Sequence, residues 1–225
     1  MHLNQNIKGL CAKFGISFHD FLNDLNVDDV HELTVFDLQA VCEEYEIDLY
    51  SLIFVPLFKP EIHKKKLEKI KFLVTDVDGV LTDGGMFVTE KGDEIKKFNT
   101  KDGMAIIKLP SFGIKVGFLS SGFTQNMVQR RAELLGVEKC YVGRENKLEI
   151  LNQWRSEMNL DWSEIAYIGD DINDREIMQK VGVSACPKNA VQTIKKTALI
   201  PLTSNGGEGC VREFVDEYLL SKPLQ

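Results

Sequence analysis

The sequence predicts a doubly wound, Rossmann-like α/β fold with a parallel sheet and a β-hairpin flap, preceded by a small all-α region. Three features of the chain point there. From Lys71 onward, short apolar runs closed by glycine, serine or aspartate alternate with helical stretches, the pattern of parallel strands joined by crossover helices. Residues 1–58 instead show helical spacing and no strong strand signal. Charge divides at the same place: residues 1–62 hold eleven acidic against three basic residues, whereas the remainder holds 24 basic and 23 acidic. Such an asymmetry marks two regions with different tasks, and the acidic one is ill suited to phosphate backbones, so no nucleic acid is expected as a partner.

Composition narrows the setting. No apolar run approaches the ~18 residues of a membrane-spanning helix, and MHLNQNIKGL lacks the charged start and apolar core of a signal peptide. The five cysteines, Cys11, Cys42, Cys140, Cys186 and Cys210, are scattered and never form a CxxC pair. Reduced thiols in a cytoplasmic protein are the expectation.

In chain order, Val35-Phe36, Leu38, Val41-Cys42 and Tyr45 recur at helical spacing behind Thr34 as N-cap. The run TVFDLQAVCEEYEIDLYSLI resembles the last two helices of a Cro/repressor-type helix-turn-helix domain but lacks the basic residues of a recognition helix. Residues 1–60 therefore read as a helical interaction module, with Phe54 and Leu57 as apolar candidates for a protein partner. Residues 61–71 form a charged linker or solvated helix, with acidic residues interrupting its lysines. Phe72-Leu73-Val74 is a buried strand ending in Asp76 and Asp78, with Gly79 next. MFVTE and EIKKF around Lys91-Gly92-Asp93 signal a hairpin. A helix over 102–109 stops at Pro110, and Ile114–Ser120 is a second core strand. A helix over 125–135 closes at Gly136. Then follow a strand over 139–142, a helix over 147–158 capped by Asn146, and a strand over 165–168. A helix over 172–181, short strands at 183–185 and 198–200, and a helix from 210 to 220 complete the chain.

Asp76 and Asp78 are the core of the candidate site. Ligands in open α/β sheets bind outside the carboxyl ends of the strands, and two carboxylates meeting there repel unless a cation lies between them. A hard metal, magnesium, is the first inference. An EF-hand loop is excluded, because its fifth and sixth positions would be Val80 and Leu81. Ser120 with Ser121, Lys147, and Asp170-Asp171 with Asp174 also fall at strand ends or helix starts.

In this order these four features resemble the motifs of the haloacid dehalogenase superfamily of phosphotransferases, over about residues 70–220. The stretches DVDGVLTDGGMFV, EIKKFNTKDG, RRAELLGV, KLEIL, AYIGDDINDREIM, VGVSACPKNA and GGEGCVREF are similar to the subgroup that dephosphorylates 3-deoxy-D-manno-octulosonate 8-phosphate and acylneuraminate 9-phosphates. The resemblance implies a phosphatase working through an aspartyl-phosphate. Asp76 is then the nucleophile and Asp78 the acid/base. Asp76, Asp78 (through its backbone carbonyl) and Asp170 hold Mg2+, and Asp171 and Asp174 orient that shell. Ser120 holds a phosphate oxygen, and Lys147 neutralises charge on the phosphate and on Asp76. Where relatives commonly have Thr-Gly-Arg or Thr-Gly-Glu, this chain has Ser120-Ser121-Gly122 and is one residue longer, so Ser121 is a second candidate for the phosphate hydroxyl. Lys101, Ser121, Gly122, Glu208 and Arg212 are the candidates for substrate contact. GGEG, FNTKD and WRSEMNLDW lean towards acylneuraminate-type relatives, since octulosonate ones usually carry GGRG.

The 41 residues between Gly79 and Ser121, and the 25 from Gly122 to Asn146, leave no room for a cap domain. A site without a cap is either open to large substrates or covered by another subunit, and the resemblance implies a homotetramer whose 86–98 hairpins pack together. Asn205 to Gly209 reads as a mobile loop. Two other readings remain: a non-catalytic oligomerisation or regulatory module associated with sialic-acid-type sugar activation, and a regulatory adaptor in the first 60 residues with the phosphatase fold as its sensor.

Overall fold

The computed structural model describes residues 2–92, 94–122 and 125–220, without the side chains at 59, 60 and 62. The chain forms two compact units, Met1–Lys64 and Lys65–Gln225. The charged joint is mostly helical, as α5 (Lys59–Leu67).

The first unit contains α1 (Leu3–Phe14), α2 (Phe18–Asp24), a 3-10 turn at Val30–Glu32, α3 (Val35–Glu44) and α4 (Leu49–Phe54). Each α-helix after the first starts at a side-chain cap. Ser17 accepts from the Asp20 N–H, Asp48 from the Ser51 N–H, and Thr34 and Asp37 form a reciprocal capping box. Ile7, Leu10, Phe21, Leu22, Leu38, Val41 and Leu52 make its core. Asn6 is buried among them. Its Nδ2 donates to Leu52 O and Val55 O, both at 2.7 Å, and its Oδ1 accepts from Leu57 N at 2.9 Å. Val35 and Phe36 share the helix of Leu38 but are 66% and 83% exposed, because the stripe that reaches the core starts only at Leu38.

The second unit is built on a six-stranded, all-parallel sheet in the order β5-β4-β1-β6-β7-β8. These strands are β1 (Phe72–Thr75), β4 (Lys115–Ser120), β5 (Lys139–Val142), β6 (Ile165–Ile168), β7 (Val183–Cys186) and β8 (Ile200–Pro201). A separate hairpin pairs β2 (Phe87–Val88) with β3 (Glu94–Ile95); Asp93 of its expected turn lies outside the described residues. Successive strand side chains face opposite ways. Leu73, Phe118 and Ile168 pack with α6 (Thr100–Lys108), α7 (Gln125–Leu135) and α11 (Cys210–Phe214). Phe72, Val74 and Tyr167 pack with α8 (Lys147–Glu157), α9 (Arg175–Met178) and α10 (Gln192–Thr197). The doubly wound α/β expectation is thus met.

Several boundaries differ from the sequence reading. Helix α6 begins two residues early, because Asn99 caps it by accepting from Lys101 N. Pro110 does not end the helical path, since a 3-10 turn, Leu109–Phe112, tolerates proline in its first turn and stops at Gly113. The single helix expected over 172–181 is a 3-10 turn at Ile172–Asp174 followed by the short α9. The last helix changes at Val215 into a π-helical turn, Val215–Leu219. Helix α10 has no counterpart among the sequence expectations.

Candidate active site

Strand β1 lies between β4 and β6, and the chain reverses its direction of winding there, so the loops after β1 and β6 part and leave a crevice. Asp76 directly follows β1, its N–H held by Ile168 O at 2.9 Å. Asp170 stands two residues past the end of β6. Gly79 bends the loop back with φ +83°, and a β-carbon there would overlap the Asp170 carboxylate, so glycine lets the two loops meet.

Lys147 begins α8, behind the Asn146 cap. Its buried Nζ donates to Asp76 Oδ2 at 2.5 Å and to Asp174 Oδ1 at 2.8 Å. Asp174 is fully engaged: Oδ1 also accepts from Tyr167 Oη at 2.7 Å, and Oδ2 from the N–H groups of Asp170 (2.9 Å) and Asp171 (3.3 Å). Oxygens of Asp76, Asp170 and Asp174 lie within 4.8 Å of one another. Burial, then the neighbouring Asp174, pushes the Asp76 carboxyl well above the usual range, with Lys147 opposing. Burial and the charges of Asp174 and Asp171 push Asp170 up to about 7. Burial acts to lower the Lys147 ammonium, but Asp76 and Asp174 outweigh it and hold it above its ordinary value. Three carboxylates facing one ammonium remain short of positive charge.

The donor set fits a divalent cation. Asp170 Oδ1 is buried with no hydrogen-bond partner, which is costly in an oxygen not meant for a ligand. Asp174 has spent its oxygens on four protein donors, so Asp76 and Asp170 are the carboxylates available to a hard ion.

The other expected residues divide. The Asp78 carboxylate stands apart from the acid cluster and pairs with Lys96 Nζ at 2.5 Å. Ser120 is buried, and its Oγ accepts from Gly122 N at 3.0 Å. Ser121 Oγ accepts from Asn173 Nδ2 at 3.3 Å. A β-carbon on Gly122 would lie 3.1 Å from Ser120 Oγ and 3.3 Å from Asp78 Oδ2, so these three positions adjoin. Asp171 is exposed and caps its own turn, accepting from Ile172 N. Lys101 is exposed in the first turn of α6. Glu208 accepts from Asn205 Nδ2. Arg212 is engaged with Asp216.

The glycine-rich segment packs closely on its neighbours in the structure. Gly207 N donates to Val80 O at 2.9 Å, Gly206 N to Asn189 Oδ1 at 2.9 Å, and Asn99 Nδ2 to Gly207 O at 3.1 Å. A β-carbon on Gly206 would overlap Gly79 O. Its glycines therefore allow close backbone approach beside the Asp76–Gly79 loop. Sequence reasoning also missed Lys96, Tyr167, Asn173 and Asn189. A signal existed for Tyr167, the one residue with a polar tip in the strand IAYI.

Comparison with known proteins agrees with this geometry. The 3-deoxy-D-manno-octulosonate 8-phosphate phosphatase KdsC of Escherichia coli (strain K12) is 34% identical over 157 residues, covering 70% of this chain and 83% of its own. The chain belongs to the haloacid dehalogenase superfamily. Within it, the match places the chain in the KdsC-type subgroup of phosphatases, which are phosphoric monoester hydrolases. The haloacid dehalogenase-like hydrolase family pattern matches residues 139–214. Among solved structures, a probable YrbI family phosphatase from Pseudomonas syringae pv. phaseolica superposes with a TM-score of 0.66 at 39% identity, covering 68% of this chain and 86% of that one. The Moraxella catarrhalis octulosonate phosphatase, solved with magnesium, phosphate and KDO, gives 0.67 at 30% identity over 69% and 88%. A cobalt-bound Haemophilus influenzae relative gives 0.65 at 34% identity over 68% and 88%.

Proposed function

We propose that this phosphatase is magnesium-dependent and hydrolyses the phosphate ester of an eight- or nine-carbon sugar acid, with 3-deoxy-D-manno-octulosonate 8-phosphate first. The observation that carries the reading is the Lys147 ammonium shared between Asp76 and Asp174 at the crevice. It opposes the burial and the Asp174 charge that favour the protonated Asp76 carboxyl, and so favours the anionic form that a phosphoryl-accepting nucleophile requires, beside a chain reversal.

Asp76 attacks phosphorus, forming an Asp76–phosphate bond as the bond to the sugar oxygen breaks. Asp78, held by Lys96, gives the departing oxygen a proton and then takes one from a water that attacks phosphorus, so that the Asp76–phosphate bond breaks, phosphate leaves and the Asp76 carboxylate is restored. Asp76, Asp170 and the Asp78 carbonyl would hold magnesium, whose charge offsets that of the phosphate and of Asp76. Asp174 and Asp171 position the Asp170 loop, and Lys147 balances charge on the phosphoryl group. Ser120 or Ser121, with Gly122, takes a phosphate oxygen. Lys101, Glu208 and Arg212 are proposed for the sugar acid, with Arg212 first leaving Asp216.

Acylneuraminate 9-phosphate is the second reading, favoured by Glu208 where octulosonate relatives usually carry arginine. The exposed Met86, Phe87, Val88 and Ile95 of the hairpin support a homotetramer, and the exposed Phe36, Tyr50 and Phe54 support a protein partner of the helical unit. A cytoplasmic setting follows from the reduced-thiol reading. Phosphate release from both sugar acid phosphates, with and without magnesium, tests the proposal against Asp76→Asn. Release by the wild type alone supports it, and equal release by the variant overturns it.

A further inference from the structure

A cavity of about 330 Å³ opens beside Lys147, within the ~300–1,000 Å³ usual for small-molecule sites. Its walls come from the segments that follow three strand ends, including the first turns of α8 and α9. Ser121 follows β4, Arg144 and Glu145 follow β5, and Ile172, Asn173 and Glu176 follow β6. The Asn173 Nδ2 to Ser121 Oγ bond ties two of these segments together. The wall chemistry is mixed. Arg144 and Asn173 bring donors, and Glu145 and Glu176 bring carboxylate acceptors. A hydroxyl both donates and accepts, so a chain of hydroxyls suits alternating partners of this kind. Glu145 and Glu176 balance Arg144 and Lys147 on the cavity wall, so it carries no net positive charge to draw a second anion. Ile172, 64% exposed on the wall, offers an apolar surface to the C–H side of such a chain.

We propose that this cavity takes the hydroxylated carbon chain next to the reacting phosphate, with Arg144 and Glu176 as its specificity-determining residues; the acid end of the substrate lies elsewhere. This rests on the sugar acid phosphate reading above. The test is steady-state kinetics of the full chain, wild type against Arg144→Ala and Glu176→Gln, on the sugar acid phosphate and on p-nitrophenyl phosphate, whose leaving group has no hydroxyl chain. Both substituted side chains are exposed, and a thermal melt of each variant beside the wild type checks that it folds alike. The ratio of kcat/KM for the sugar ester to that for the aryl ester should fall about tenfold in each variant, mostly through KM. A ratio unchanged in both variants, or an equal loss on the two esters, overturns the pocket assignment alone. A wild type that cleaves the aryl ester and no sugar acid phosphate overturns the substrate reading and the pocket assignment with it.

Discussion

Replacing Tyr167 with phenylalanine removes one oxygen from the middle of the second unit and nothing else. The ring is fully buried, and its packing on β6 survives the change. What is lost is the 2.7 Å bond that the phenol donates to Asp174 Oδ1. Burial and the adjacent Asp174 raise the phenol far above its ordinary pKa, so it stays a donor at any working pH. A hydrogen bond to a charged group contributes about 1.5–3 kcal/mol. Asp174 keeps Lys147 and two backbone donors, so the lower end, about 1.5–2 kcal/mol, is expected. With a urea m-value of about 2 kcal/mol/M, the midpoint should fall by about 0.7–1 M. Both tryptophans, Trp154 and Trp162, lie in Lys65–Gln225, so their fluorescence follows this unit alone. Activity should fall less than about tenfold, because the stronger partner Lys147 stays in place. A midpoint unmoved would mean that Asp174 does not depend on the tyrosine and that the buried network is described wrongly.

Lys147→Met should lower the stability of the same unit by about 3–5 kcal/mol, since it strands buried carboxylates, and added magnesium should restore part of that loss; thermal melts with and without the ion check both. Asn6→Leu should weaken the first unit by about 2–3 kcal/mol, because the carbonyls of Leu52 and Val55 and the N–H of Leu57 lose their partner. Amide hydrogen exchange should speed up there while tryptophan fluorescence unfolds unchanged. Burial raises Asp102 to about 6, against backbone donors from Arg212, Val211 and Gly209. The folded state then keeps a proton that the unfolded chain releases near pH 4, so stability falls as pH rises from about 4 to about 6. Asp102→Asn should flatten that slope, and parallel urea-midpoint profiles for variant and wild type would contradict it.

The strands were legible because short apolar runs ending in glycine, serine or aspartate have few other uses, and β5 and β6 fall where the runs predict. Local caps were legible too, as with Thr34 and Asn146. What escaped was set by contacts distant in sequence. The 172–181 segment opens as a 3-10 turn behind an Asp171–Asp174 capping box, and Asp174 also reaches Lys147, a partner distant in sequence. Lys96 looked like one charge among many in EIKKF, and only the hairpin's return brings it to Asp78. Asn6 sits in a polar-looking amino terminus whose partners lie more than 40 residues away. Glycines 206 and 207 read as flexible, yet the backbone of residues 79–83 needs their missing side chains.

The central claim is that Asp76 carries the phosphoryl group. It is tested most directly by quenching the turning-over enzyme, reducing any acyl phosphate with borohydride, and reading the peptide around residue 76 by mass spectrometry. The expected result is homoserine at position 76, dependent on substrate and absent from Asp76→Asn. Phosphate release at full rate with no modification at 76, or with modification at Asp78 or Asp170 instead, would contradict it.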